Sequence, residues 1–462
     1  MSRCYVFNNK KLCLPGVYSM IGRGIGIPFR HGTGGSGITI PPEIKEALVC
    51  WCSPRKQKLT EYDVIESYAE DFTTWDKFPN RGTVTVTQNT IIITESKELY
   101  NVIEDKQEPY SDLTINVTGV SDDLFLIVSD NTGRKGEIKR DGIYTFKNNA
   151  RFFGFKTNAV GECNIKITQL PTSKAKDFSA NGHDLFLYKF KGKLDSGIGL
   201  YHADFTEWVN NNSDEVSPEQ VVFTTAGVKN ITLRGTKTNS INIQVKGFSD
   251  KVRYLRLGYN ENGVFKEIGV FKDGIYTIPG SELETSGLLS RISCSLKDDS
   301  KVTVTQIPDY PNQLCYNGSS YGVAYGLPIL NDYTIIADRT WFDKSNPTNF
   351  ITKGSDSKIS FLLEEVSNNG ELCKAQSFGS YSTISLETGD ITYQTKNKYN
   401  NNDIVSRNSA DDDVFIVGGR YSKTSNSMST YKFAGCHGDI LLFNRTLTDD
   451  EITWLKENWE KL

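Results

Sequence analysis

The sequence predicts an all-β protein, and three observations carry that expectation. Apolar residues alternate with polar ones along much of the chain, turn dipeptides punctuate the alternation, and one block of strands occurs twice. The alternation is plain at Val84 and Val86, Ile115 and Val117, and Ile165 and Ile167. It returns at Ile231 and Leu233, at Ile241, Ile243 and Val245, and at Val302 and Val304. Period two puts every second side chain on one face of a strand, the pattern of a half-buried sheet. Asp-Gly at 141–142 and 273–274 and Asn-Gly at 262–263 suit turn positions that need positive φ.

The duplication is collinear. DFTTW at 71–75 returns as DFTEW at 204–208, and INVTGVSDD (115–123) as IQVKGFSDK (243–251). DGIYTF (141–146) returns as DGIYTI (273–278), and IKITQLP (165–171) as VTVTQIP (302–308). The offset drifts from 133 to 128, 132 and 137 residues, as loop insertions and deletions in a duplicated module require. Two copies at about 71–171 and 204–308 are expected, each a small antiparallel β-sandwich.

With 462 residues the chain is long for one core, and about 150 residues per domain suggests roughly three. Apolar residues at 37%, with 24 Phe and 22 Tyr, provide material for packed cores. The net charge of −4, with both signs interspersed, lacks the positive field that phosphate neutralisation needs, so no nucleic-acid partner is expected. No run of apolar residues reaches the length of a signal peptide or a membrane span, so synthesis in a cytoplasm without membrane insertion is expected. Nine scattered cysteines and four histidines without ligand spacing predict buried thiols, no metal and no cofactor.

Segments 41–70, 172–203 and 309–462 are also strand-like, and the first two are too short to bury a core alone, so the three are expected to fold together. A terminal helix is expected where Thr448 and Glu451 have capping-box spacing and Ile452, Leu455, Trp459 and Leu462 share a face. Residues 1–40 open with an alternating stretch and run into GRGIGIPFRHGTGGSG, whose glycines oppose independent folding.

Within the third domain, LCYNGSSYGVAYGLP (314–328), DFSANGHDLFLYKF (177–190) and GDILLFNRTLTDDEITWL (438–455) resemble three motifs of the concanavalin A-like, laminin-G-like lectin family. That resemblance implies a jelly-roll sandwich interrupted by the two repeats. The implied division is a leader and linker at 1–40, lectin-like pieces at 41–75, 172–208 and 309–462, and inserted β-sandwich repeats at 76–171 and 209–308. Asn317, Ser319 and Ser320 stand where the first motif carries carboxylates, so no calcium site is expected. The whole arrangement resembles uncharacterised proteins of gut Bacteroidales and their crAss-like phages. VFNNKKLCLPGVYSMIGRGI (6–25) resembles leaders found on phage virion components.

These resemblances imply a virion structural or surface protein of the fibre or decoration type, made in the host bacterial cytoplasm. It would join other virion proteins through its leader, act as a homo-oligomer, and bind host-surface glycans without being an enzyme. Aromatic rings offer apolar faces to sugar C–H groups, while Asn and Arg supply directed hydrogen bonds. Tyr316, Asn317, Tyr321 and Tyr325 cluster in one segment, and Arg339 and Trp341 alternate along the next strand. These six are the candidate carbohydrate-binding residues. One alternative is a purely structural decoration protein that binds no sugar. A second is a retaining glycoside hydrolase: EYDVIE (61–66) fits E-x-D-x-x-E, with Glu61 as nucleophile, Asp63 as helper and Glu66 as acid/base. A charged turn is the plainer reading of that segment, so no catalytic residue is assigned.

Overall fold

The computed structural model describes residues 4–7, 10–13, 38–59, 63–105, 112–130, 133–146, 153–192, 196–343, 348–355, 358–366, 372–376, 380–383, 391–400, 402–403, 413–422 and 427–462. The fold is all-β, and among the described residues one helix, Asp449–Asn458, is longer than four residues. Ile40–Lys456 forms one compact unit, and Met1–Thr39 with Glu457–Leu462 forms a second. In the second, Cys4–Phe7 and Lys10–Cys13 pair antiparallel, and Ile38 N–H donates to the Lys461 carbonyl at 3.2 Å. The glycine-rich stretch lies outside the described residues.

The two repeats are equivalent strand for strand. In the first, one five-stranded sheet runs Gly142–Phe146, Leu113–Thr118, Gly161–Gln169, Thr90–Ser96, Gly82–Val86. Its counterpart runs Gly274–Ile278, Ile241–Lys246, Val302–Gln306, Gln220–Phe223, Glu215–Val216. The opposing sheets, built on Leu126–Asp130 and Phe153–Thr157 or on Val252–Glu261 and Ser281–Leu296, also share one strand order. Register agrees as well, since Gly142 faces Val117 as Gly274 faces Val245. The alternating residues fill the space between the sheets, where Ile91, Ile93, Ile115, Val117, Ile165 and Ile167 are all fully buried. Ile231, Ile241, Ile243, Val245, Val302 and Val304 do the same in the second copy.

Each recurrent motif has a structural task. The Asp71 carboxylate accepts from Thr73 N–H to cap a single 3-10 turn, and Asp204 accepts likewise from Thr206. That turn sets Phe72 edge-on to Trp75 at 4.9 Å, as Phe205 is to Trp208 at 5.2 Å. Asp141 and Asp273 accept from the backbone N–H of Val120 and Phe248. Tyr144 and Tyr276 donate to carbonyls four residues upstream, Arg140 and Lys272. Gly119 and Gly247 both hold φ +85°, where a Cβ would sit 2.0 or 2.1 Å from the carbonyl oxygen of Asn164 or Lys301, so only glycine fits.

Outside the repeats, two larger sheets are assembled from separated parts of the chain. Leu185–Tyr188 pairs with Tyr321–Ala324, Gly197–Gly199 with Tyr310–Asn317, and Leu48–Cys52 with Ala434–Phe443. The first sheet continues through Phe415–Val417 to Thr348–Ser355 and Lys358–Val366; the second through Thr334–Trp341 to Ile391–Thr395. Between them lies a core that includes Val49, Leu187, Leu314, Ile335, Phe350, Leu363, Phe433 and Leu442. At the helix N-terminus, Thr448 N–H donates to the Glu451 carboxylate at 2.8 Å, and Glu451 N–H donates back to Thr448 Oγ at 3.3 Å. Ile452 and Leu455 are buried. The described cysteines 50, 52, 163, 294, 315 and 436 are free thiols, and all but Cys163 are buried.

Candidate functional site

A cleft of about 1060 Å³ lies between the first repeat and the larger sheets. One wall is the outward face of the repeat. Strand Leu113–Thr118 alternates so that Leu113, Ile115 and Val117 point into the core while Thr114, Asn116 and Thr118 face the cleft. Ile143 and Thr145, in register opposite Asn116 and Thr114, extend that wall. Asp112 and Asp141 stand at the strand ends.

The facing wall is the hairpin at 177–190. Its geometry follows from the buried Asp177 carboxylate, which accepts from the N–H groups of Trp51, Ser179 and His183 and from the Ser179 hydroxyl at 2.8–2.9 Å. Asn181 Nδ2 donates to the carbonyls of Leu48 and Val49, tying the loop to the neighbouring strand. Ala180 and Gly182 both take positive φ to make the turn. His183, Asp184 and Phe186 are thereby presented to the cleft, beside Lys174, Tyr325 and Asp413. Lys174 Nζ forms an ion pair with Asp184 at 2.6 Å and lies 6.0 Å from the centroid of the Phe186 ring.

An aromatic row runs along this wall. Tyr321 stacks on Tyr188 at 5.0 Å, the Tyr188 and Tyr325 hydroxyls share a hydrogen bond of 3.2 Å, and Phe186 tilts against Tyr325 at 6.3 Å. A half-buried Tyr and Phe edge next to amide, hydroxyl and carboxylate groups is the mixed surface on which a sugar ring can lie flat while its hydroxyls are bonded at the rim. The strongly shifted groups Glu70, Asp338 and His437 lie outside this cleft.

Of the six expected sugar-binding residues, only Tyr325 lines the cleft, with Tyr321 one ring behind it. The other four need correction. Tyr316 (1% exposed) donates its hydroxyl to His437 Nε2 at 3.0 Å, because His437 Nδ1 is engaged with the Gly438 carbonyl. Arg339 (2% exposed) and Trp341 (6%) both bond to the buried Glu364 carboxylate, so the alternation that paired them points them inward. Tyr399 donates to the same carboxylate at 2.7 Å. Asn317 is spent on its own turn, accepting from the N–H groups of Ser319 and Ser320. Phe186, His183, Asn116 and Lys174 also line the cleft and were not among the candidates, although Phe186 and His183 belong to the 177–190 segment singled out in the sequence.

In the 61–66 segment Glu61 lies outside the described residues. Glu66 accepts locally from the Tyr68 hydroxyl and, at 2.8 Å, from Lys189 N–H, a bond that holds the hairpin to this segment. Among the described residues no group of three or more His, Cys, Asp or Glu side chains is placed to hold a metal ion, and no helix is long and apolar enough to cross a membrane.

No family model and no curated protein matches the chain. Among solved structures it is similar to a Trypanosoma rangeli sialidase in complex with 2,3-difluorosialic acid, at 10% identity and a TM-score of 0.26, over 82% of this chain and 84% of that one. The Trypanosoma rangeli sialidase in complex with sialic acid gives 9% identity and a TM-score of 0.25, over 82% and 83%. An allantoicase gives 12% and 0.11, over 56% and 89%.

The sialidases are enzymes. The expectation that this chain is not an enzyme is corrected by that finding, and the exclusion of catalysis is withdrawn. TM-scores of this size assign no activity in its place.

Proposed function

We propose that the chain is a virion surface protein whose cleft binds host glycans. The observation that carries the reading is the Tyr325–Phe186 aromatic edge set beside Asn116, Thr114, Asn181 and His183 in one cleft. The two large sheets, with strands drawn from 48–52, 174–199 and 310–443, support a concanavalin-like jelly roll as the host of the two repeats. Their outward sheet faces and connecting loops are where a lectin of this architecture has room for a ligand. The virion assignment rests on the resemblance of residues 6–25 to phage leaders. Modest affinity at each cleft would be raised by many copies on one particle.

A glycan array probed with multimerised protein, alongside immunogold labelling of purified particles, tests both halves. Binding that disappears in Tyr325→Ala is the expected result. A blank array removes the glycan reading, and particles without label remove the virion one.

A further inference from the structure

We propose that Cys315 and Cys436 are a modification site: met by a low-molecular-weight disulfide, they close into a cross-strand disulfide. The bond staples the strand that follows the second repeat to the strand that precedes the terminal helix.

The two residues face each other in register where Tyr310–Asn317 pairs with Ala434–Phe443. An antiparallel ladder alternates hydrogen-bonded and non-hydrogen-bonded pairs, and the backbone bonds fix which kind this is. Three steps along, Gly318 N–H donates to the Phe433 carbonyl at 3.1 Å, so that pair is hydrogen-bonded. The Ala434 carbonyl turns the other way, accepting from Phe342 N–H at 2.9 Å. Cys315 and Cys436 are therefore a non-hydrogen-bonded pair, with Cα atoms about 4.5 Å apart and side chains drawn together. A disulfide spans Cα separations of roughly 4.4–6.8 Å, so the backbone already has the approach it needs.

The sulfurs share a face and a neighbour. Leu314 and Tyr316 point into the core between the two large sheets, so alternation turns Cys315 to the opposite face, and Cys436 with it. Cys436 Sγ donates to Gln313 Oε1 at 2.8 Å, and Cys315 Sγ to the Gln313 carbonyl at 3.7 Å. Burial, and next the adjoining Cys315 sulfur, hold the Cys436 thiol well above its ordinary range. That slows exchange without changing where the sulfurs sit.

Closure is a thiol–disulfide exchange. One cysteine sulfur, as thiolate, attacks oxidised glutathione, forming a mixed disulfide and releasing one reduced glutathione; the second sulfur then attacks the first and releases the other. The cysteines lose two electrons, the glutathione disulfide gains them, and the two thiol protons end on the released glutathiones. The new bond closes the chain from 315 to 436 into a loop, which restricts the unfolded state.

The test holds the reduced full chain in oxidised-glutathione buffer, blocks the remaining thiols, and maps a tryptic digest without reductant. Because both thiols are buried, it is run in buffer alone and in urea just below the unfolding transition, where buried strands open locally. Each cysteine falls alone in one peptide, 302–339 and 433–445. The expected result is these two peptides joined, two hydrogens lighter than their sum and separable by a phosphine. Oxidation should raise the thermal midpoint by about 5 °C or more, reversibly, with no such rise in Cys315→Ala or Cys436→Ala. Unlinked peptides under both conditions overturn the proposal. So does linkage of either cysteine to a different partner, or linkage of the two with no rise in midpoint.

Discussion

The side-chain amide of Gln169 grips the backbone of Glu70, accepting from its N–H and donating to its carbonyl, both at 2.8 Å. Gln306 makes the equivalent pair with Ala203 at 3.1 and 2.7 Å, and also accepts from His202 N–H. Both glutamines are buried, at 0% and 3% exposed. The TQ of each TQ-x-P thus binds the residue immediately before the matching DFT-x-W, which explains why those two motifs recur together.

Replacing either glutamine by alanine leaves a backbone N–H and a carbonyl without partners. Gln169→Ala and Gln306→Ala should each cost about 2–3 kcal/mol in chemical unfolding. Gln306→Glu, which keeps the acceptor but loses the donor, should cost less than Gln306→Ala if the N–H groups of His202 and Ala203 dominate.

Glu364 holds Arg339, Trp341 and Tyr399 through one buried carboxylate. Removing a partner from a buried ion pair strands the other charge, so Glu364→Gln should destabilise by about 3–5 kcal/mol. Trp341→Phe should lower the thermal midpoint without changing glycan affinity. A change in affinity at unchanged stability would return Trp341 to the binding surface.

Stability should depend on pH through Asp338. Burial, and next the neighbouring Asp439 carboxylate, push its carboxyl up to about 7. A raised acid contributes fully below its unfolded value, near 4 for Asp, and loses that contribution as pH rises through about 7. Glu70, raised to about 7 by burial and then by Asp105, acts in the same direction. His437 opposes them: burial pulls it down to about 4, so its contribution is present above the ordinary histidine range and lost as pH falls through about 4. Two groups against one predict a net fall in melting temperature between pH 5 and 8. Asp338→Asn should flatten it, raising the midpoint at pH 8 by about 5 °C with little effect at pH 5.

Gly119 and Gly247 offer a matched test of the duplication. Alanine at either meets a carbonyl oxygen and a left-handed φ, so each substitution should cost at least about 2 kcal/mol. Gly263, at φ +83° with open space around it, carries the backbone strain without the clash. Gly263→Ala should therefore be milder, by about 1 kcal/mol. Equal losses at all three positions in thermal unfolding would show that the close approach is immaterial.

The repeats were legible because their motifs are local: a capping Asp, a turn Gly and an alternating strand act within a few residues. The helix was legible for the same reason, through Thr448 and Glu451. The orientation of Arg339 was not, because it depends on Glu364, which reaches it across the core from the other sheet. Period two says that Arg339 and Trp341 share a face and leaves open which one. The cleft was hidden for a related reason, since Asn116 and Tyr325 line it from different modules, and no spacing along the chain records that they share it.

The chain leaves and re-enters the larger sheets at neighbouring points. Thr172 N–H donates to the Ser67 carbonyl at 2.8 Å, and Asp309 N–H to the Leu200 carbonyl at 3.1 Å. Each repeat is therefore a cassette, exchangeable by recombination without rethreading the strands on either side of it. Because Thr114, Asn116 and Ile143 of the first cassette form one bank of the cleft, such an exchange would re-line that bank while leaving the opposite one untouched.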